Sequence, residues 1–474
     1  MRKLHGYSFY YEKASNRFSR IGVCVGCGLY CFTSGLEHEF SLIEAQRIEQ
    51  LDELPFSWSL EYWQMMGSLL GCLVSGIALC CMGRLSSLLR ISLPCLILAS
   101  ISTYISTQVD IHSSIFLFTA TLQIFLQNMS KSLAVTVTPI YILETICHYP
   151  GGFESRAMGA LIALTQLPTA VTAILVTGNQ KDLAESKVLF VLPVLTTVSA
   201  IVFYLFAPES PRWLMQNNGR IDDATKSLLS LRPRSVTHNQ IAQELDQMRN
   251  DIQMTSLCKT DSYIKPLLTL SGFMLLVELM GYKAYNFYMD WALTFSGLTM
   301  NSRLVSSFIR LIALLMSTVV SSTFPGPKST GLMLLISSGS LAFCLSALGC
   351  SFYFLEFGTV KSKLMWLPAT FLIIYQVFFW LGIGTYSMAT CALLCPARSR
   401  SIVLILVVIV HQMTSYFCQL FLPMMISVLH PFGVFWFHAV MTSIALAYIF
   451  VVIVPELKYM AKNVSVDQSI QQFF

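Results

Sequence analysis

Apolar stretches of membrane-spanning length recur along almost the whole chain, separated by short polar turns. Twelve can be placed, at residues 19–36, 60–82, 88–107, 113–146, 156–178, 187–207, 265–294, 302–323, 329–352, 365–395, 401–428 and 431–454. Each is long enough to cross a hydrocarbon core of roughly 30 Å as a helix. The pattern predicts an all-α membrane protein of twelve transmembrane helices. The one long polar segment, about 210–264, lies between the sixth and seventh spans. Its GRIDDATKSLLSLRP and IAQELDQMRNDIQ stretches place apolar residues at helical spacing with charges between them. They predict short amphipathic helices under one membrane face.

Composition agrees with this reading. Of the 474 residues 55% are hydrophobic and 12% charged, against about 25% charged in a soluble domain. Most of the 30 Lys and Arg fall in the tails and in the loops of one side, which by the positive-inside rule predicts that both termini are cytoplasmic. The first external loop, SGLEHEFSLIEAQRIEQLDELPFSW, is acidic. The first twenty residues are polar and basic, so no cleavable signal is expected. The fourteen cysteines are scattered through the spans. Cys24, Cys27 and Cys31 share a helical face, but no His or carboxylate stands at matching spacing, and buried thiols behave as small hydrophobes. Neither a metal, a cofactor nor a disulfide is expected. No feature suits nucleic acid, and no Walker-type phosphate loop is present. The chain reads as a multi-pass protein of the lipid bilayer, not as an enzyme.

Internal repetition sharpens the architecture. Gly83-Arg84 follows span 2 and Gly326-Pro327-Lys328 follows span 8; Arg156 follows span 4 and Arg400 span 10; Pro208-Glu209 ends span 6 and Pro455-Glu456 span 12. Their nearly constant offset predicts a six-span unit used twice in parallel, the plan of the major facilitator fold. The expected division is a six-helix bundle at 1–209, a cytoplasmic linker at 210–264, and a second bundle with its tail at 265–474.

Residues 208–214 read PESPRWL at the end of span 6, and PIYILE stands at 139–144, followed by Arg156, Gly159, Ala160, Leu161, Gln166 and Leu167. Pro455-Glu456-Leu457-Lys458 closes span 12. These stretches resemble the signatures of the sugar porter family of the major facilitator superfamily, and the animal glucose and trehalose facilitators within it. The resemblance runs over about 20–460, strong in the first half and thin in the second. It implies transport of a sugar or sugar-like solute by alternating access, with Arg84, Glu144, Arg156, Glu209, Arg212, Arg400 and Glu456 as a cytoplasmic gate of helix-end charges.

The second half departs from the family where sugar would be held. Aligned on Gly281, the span-7 glutamines fall at Val277 and Glu278, and the following asparagine at Lys283. Tyr288 matches the second tyrosine of the outer gate. The span-10 tryptophan falls at Met388, the asparagines of span 11 at His411 and Ser415, and an acid of the second-half gate at Leu393. In the first half the arginine of span 4 falls at Ile124, Lys131 appears mid-span, and the acid-base pair before Gly83 has become Cys80 and Cys81. Gln166 remains. The expected substrate contacts are therefore Gln166, Glu278, Lys283, Tyr288, Met388 and His411. Lys283 and Asp290, seven residues apart on one helix face, allow a structural ion pair as well. Span 1 carries no acid, which favours facilitated diffusion over proton coupling, and the plasma membrane is the default location. Two alternatives follow from the lost ligands: transport of a polyol or charged solute, or a sensor-like member that binds without transporting.

Overall fold

The computed structural model describes residues 60–109, 113–146, 191–216, 220–232, 238–257, 263–296, 327–357, 365–395 and 399–459, with scattered helical positions between 305 and 320. In the first half, α1 (Leu60–Cys81) is followed by a short α2 (Arg84–Ser87). This passes through a π-turn at Leu88–Ser92 into α3 (Leu93–Gln108). Then come α4 (Ser114–Ile146) and α5 (Val191–Phe206). The polar segment forms α6 (Pro211–Gln216), α7 (Ile221–Leu231) and α8 (His238–Leu257). In the second half stand α9 (Ile264–Leu279), α10 (Tyr282–Phe295), α11 (Pro327–Phe357), α12 (Leu367–Leu381), α13 (Ile383–Leu394) and α14 (Arg400–Tyr448). The last helix is continued by a π-turn at Ile449–Ile453. α14 contains both final spans, kinked where His430 takes φ 55° just before Pro431.

Among the described residues, six helical stretches are long and apolar enough to cross a membrane. α4, at 33 residues, is equally long but interleaves its apolar side chains with Thr, Ser, Gln, Asn and Lys131. Spans 1 and 5 lie outside the described residues. The burial pattern is that of a protein solvated by lipid. Leu73, Ile77, Phe118, Phe343 and Val428 point outward, whereas Ser75, Ser92, Thr136, Ser338 and Thr442 are buried.

Hydrocarbon is as apolar as leucine, so the hydrophobic effect does not press these helices together; close packing and interhelical hydrogen bonds must do it. α1 supplies a small-residue stripe for this purpose. A Cβ at Gly67 would meet the carbonyl of Phe125, and one at Gly71 the carbonyl of Met129, so α1 and α4 touch backbone to backbone. On another face of α4, Ser130 Oγ donates to the Ser92 carbonyl at 2.9 Å. Ser92 Oγ answers toward the Ser130 carbonyl at 3.2 Å. In the second half α14 packs along α9 and α11, and α11 along α12. The halves meet where α14 touches α1 and α4, and where α13 touches α4.

Gly71→Val should separate α1 from α4. Overpacking of this kind costs about 1–3 kcal/mol, and a lower melting temperature in detergent, with Ser68→Ala as a control of similar position, is the expected result.

Candidate functional site

The PESPRWL stretch forms the hub of one rim of the first half. Tyr141, within PIYILE, donates its hydroxyl to the Pro208 carbonyl at 2.7 Å. The Glu209 carboxylate caps the start of α2, accepting from the backbone N–H of Arg84 and Leu85 at 2.9 Å and of Ser86 at 3.1 Å. Negative charge at a helix N-terminus also opposes the helix dipole favourably. Glu144 instead forms a fork with Arg84, Nε to Oε2 at 2.8 Å and Nη2 to Oε1 at 2.9 Å. Ser210 Oγ donates to the same carboxylate at 2.5 Å. Arg212 is buried nearby, and Trp213 and Leu214 pack on Ala224 of α7 and Leu245 of α8. The acid of this stretch, Glu209, thus closes a backbone, while the guanidinium gripping Glu144 comes from Arg84.

Every described pair of this rim joins elements of the same half or its linker. Arg232 pairs with Glu244 and donates to the Thr145 carbonyl at the end of α4 at 3.2 Å, tying the linker helices to the first bundle. In the second half Glu456 meets Lys265 at 3.4 Å rather than Arg400. That pair is largely exposed, and such contacts contribute about 0–1 kcal/mol. Arg400 is half-buried at the start of α14, and its Nε has no hydrogen-bond partner among the described residues. Arg156 and Gln166 lie outside the described residues.

Span 7 and span 10 are both broken at membrane depth. Gly281, at φ 88°, separates α9 from α10, and a Cβ there would stand 2.8 Å from His438 Cγ. The carbonyls freed by the break are taken up by neighbours. His438 Nδ1 lies 2.9 Å from the Leu279 carbonyl, so that nitrogen carries the proton. Tyr375 donates to the Met280 carbonyl at 3.0 Å. Gly382 divides α12 from α13, and Ser337 bridges that gap. Its hydroxyl donates to the Phe378 carbonyl at 2.7 Å and accepts from the Ile383 N–H at 3.2 Å.

The charges of the centre surround the first break. His411 Nδ1 of α14 lies 3.2 Å from Glu278 Oε1 of α9, at ion-pair distance though not aligned as a hydrogen bond. Lys283, in the first turn of α10, reaches Gln419 Oε1 at 3.4 Å; the side chain of Asp290 is not among those described. Lys131 of α4 and Lys283 both act electrostatically on His411, as Glu278 does, so residues of both halves share one field. Met388 is half-buried on α13 against the main core. Tyr288 lies elsewhere, buried among Phe352, Phe435 and Trp291.

Several polar residues at this centre escape a reading by family position. Gln419 is one. Tyr285 is another, donating to Gln376 Oε1 at 2.6 Å. Gln127, one turn before Lys131, is fully buried, and neither of its amide atoms is bonded among the described residues. Its four-residue spacing from Lys131 was the available signal.

Two discontinuous helices beside a charged centre shared by two bundles are the architecture of a solute carrier. The fold is that of a major facilitator: the proton:xylose symporter XylE bound to 6-bromo-6-deoxy-D-glucose superposes with a TM-score of 0.73 at 15% identity, over 94% of this chain and 100% of that one. Among curated relatives, a facilitated trehalose transporter Tret1-2 homologue of Drosophila sechellia is 24% identical, the match covering 70% of this chain and 67% of that protein. The facilitated trehalose transporter Tret1 of Bombyx mori is 25% identical, with 68% and 62% covered. The family model "Sugar (and other) transporter" matches residues 57–461. The chain belongs to that family.

Glu144→Gln should leave the Arg84 guanidinium buried without the charge of its carboxylate partner. Breaking a buried pair in this way costs about 3–5 kcal/mol, read as a large loss of thermal stability in detergent. Gly281→Ala should cost about 1–3 kcal/mol through the strained φ. Adding His438→Ala should recover only the part due to the clash.

Proposed function

We propose that this chain carries a sugar across a membrane by alternating access, passively, through the centre described above. The observation that carries the reading is the approach of Glu278 and His411 beside the helix break at Gly281, with Lys283 in the turn that follows and Lys131 of the first bundle acting electrostatically on His411. A solute bound there touches both halves at once, which lets its binding energy couple to their relative movement. The family match and the names of the trehalose-carrying relatives support a sugar as that solute.

The division into bundles at 1–209 and 265–474 with a linker at 210–264 fits this motion. Gln166, Glu278, Lys283, Met388 and His411 contact the solute, and Tyr288 belongs to the outer aromatic closure. Arg84, Glu144, Arg156, Glu209, Arg212, Arg400 and Glu456 form the inner gate. The first-half network supports a rigid rim, against which Arg400 is the cation available to close. The absence of an acid in span 1 supports uncoupled transport. Both termini face the cytoplasm, and the plasma membrane is the membrane concerned.

Counterflow in proteoliposomes tests this. Vesicles preloaded with unlabelled sugar should accumulate the labelled form of at least one of glucose, xylose, trehalose and glucuronate. Gln166→Ala should reduce the initial rate at least tenfold. A folded protein that exchanges none of the four overturns the reading.

A further inference from the structure

Two adjacent thiols at the end of α1 take no part in the centre or in the rim network. Cys80 and Cys81 are both exposed. Cysteine ranks among the residue types most often buried, and among the other described cysteines only Cys350 is exposed. The surroundings of the pair are specific. The apolar run of α1, Tyr62–Cys81, is 20 residues long, or about 30 Å as a helix. That matches the hydrocarbon core and sets both thiols at its boundary. Leu70, Leu73 and Ile77 are 40%, 58% and 68% exposed. Their spacing of three and four residues makes one outward stripe on the helix, toward lipid. Cys80 and Cys81 follow Ile77 by three and four residues and prolong the stripe. Just beyond them Gly83, at φ 88°, turns the chain, and Arg84 opens the polar rim. Each thiol therefore has the headgroup region on one side and an apolar surface leading back into the bilayer on the other.

We infer that Cys80 and Cys81 form a site of S-acylation by a long-chain fatty acyl group. The inference rests on the proposed orientation, which puts this end of α1 on the cytoplasmic side, where acyl-CoA is available. The cysteine thiolate attacks the carbonyl carbon of a long-chain acyl-CoA and forms a new S–C bond. The S–C bond to coenzyme A breaks, and coenzyme A leaves as a thiol with the proton that the cysteine gave up. One thioester is exchanged for another, so no oxidant or reductant is consumed. Such a transfer needs an accessible thiol at a membrane edge, and this helix end supplies two. Leu70 stands eleven residues before Cys81, about 16 Å along the axis, so an acyl chain directed into the bilayer has exposed apolar side chains to lie against. Acylation there pins the corner between α1 and α2, and with it the Glu209 cap, to the inner leaflet.

The test is acyl exchange on the full chain expressed in cultured insect cells. Free thiols are blocked, thioesters are cleaved with neutral hydroxylamine, and the released thiols are tagged with a maleimide-linked polyethylene glycol. The wild type should gain one or two tags that depend on hydroxylamine, and should incorporate an alkynyl palmitate analogue fed to the cells. The double substitution Cys80→Ser and Cys81→Ser should lower both signals at least fivefold, whereas Cys350→Ser should leave them unchanged. A wild type without hydroxylamine-dependent tags overturns the inference, as does a double variant that keeps them. Should the double variant fail to fold, mass spectrometry of the wild-type peptide holding both thiols decides. A fatty acyl mass on it supports the site, and unmodified peptide alone overturns it. Labelling by an impermeant maleimide on intact cells, lost in the double variant, places the thiols outside and overturns the inference together with the orientation. Counterflow is read separately on the same preparations. Acylated protein that exchanges no sugar supports the inference while refuting transport, and sugar exchange by protein that carries no acyl group does the reverse.

Discussion

Hydrocarbon offers no hydrogen-bond partner to a peptide group, and this single constraint organises the molecule. A chain that crosses a bilayer must satisfy its backbone internally, so any interruption of a helix requires other residues to take up the freed groups. Both interruptions here are supported in that way. His438 and Tyr375 reach the carbonyls at the end of α9, and Ser337 spans the gap between α12 and α13. The supporting residues come from three other helices, so the breaks bind the second bundle together as well as opening it. The same economy explains buried hydroxyls such as those of Ser100, Thr103, Thr136 and Thr442, each of which donates to a carbonyl of its own helix.

Two sets of membrane-embedded and membrane-edge charges behave in opposite ways. At the rim Arg84, Glu144 and Glu209 are almost completely satisfied: a bidentate fork, two serine hydroxyls and four backbone N–H groups share two carboxylates. A network so closed is rigid, and its role is to hold spans of one bundle in fixed relation. At the centre the pairing is loose. Among the described residues Lys283 is bonded to an amide oxygen, and His411 faces Glu278 without alignment. Each ionisable group at such depth costs about 2.5–3.5 kcal/mol on insertion scales. Loose pairing leaves that cost to be offset by water or by a solute, which is what a transport site requires and a structural ion pair does not.

Packing sets where motion can occur. α1 and α4 touch backbone to backbone through Gly67 and Gly71, and cannot slide without steric conflict. α14 and α13 touch the first half at α1 and α4.

Much of this protein could be read from its residues alone. Hydropathy gave the membrane-spanning helices, because lipid demands long apolar runs. Repeated helix-end motifs predicted a six-span unit used twice, and PESPRWL with PIYILE pointed to the family. Substitutions at Glu278, Lys283 and His411 marked the centre as altered. The partners of these residues were not legible, because they depend on contacts between helices distant in the chain. Arg84 rather than Arg212 grips Glu144. Glu209 caps a backbone. Lys283 meets Gln419 on α14, 136 residues away. Tyr288 turned out to pack within an aromatic cluster, since the helix break at Gly281 resets the direction of every side chain that follows. Sequence determined which groups are present and that they must be buried; only the tertiary structure decided which of them satisfy one another, because partners such as Lys283 and Gln419 stand on different helices.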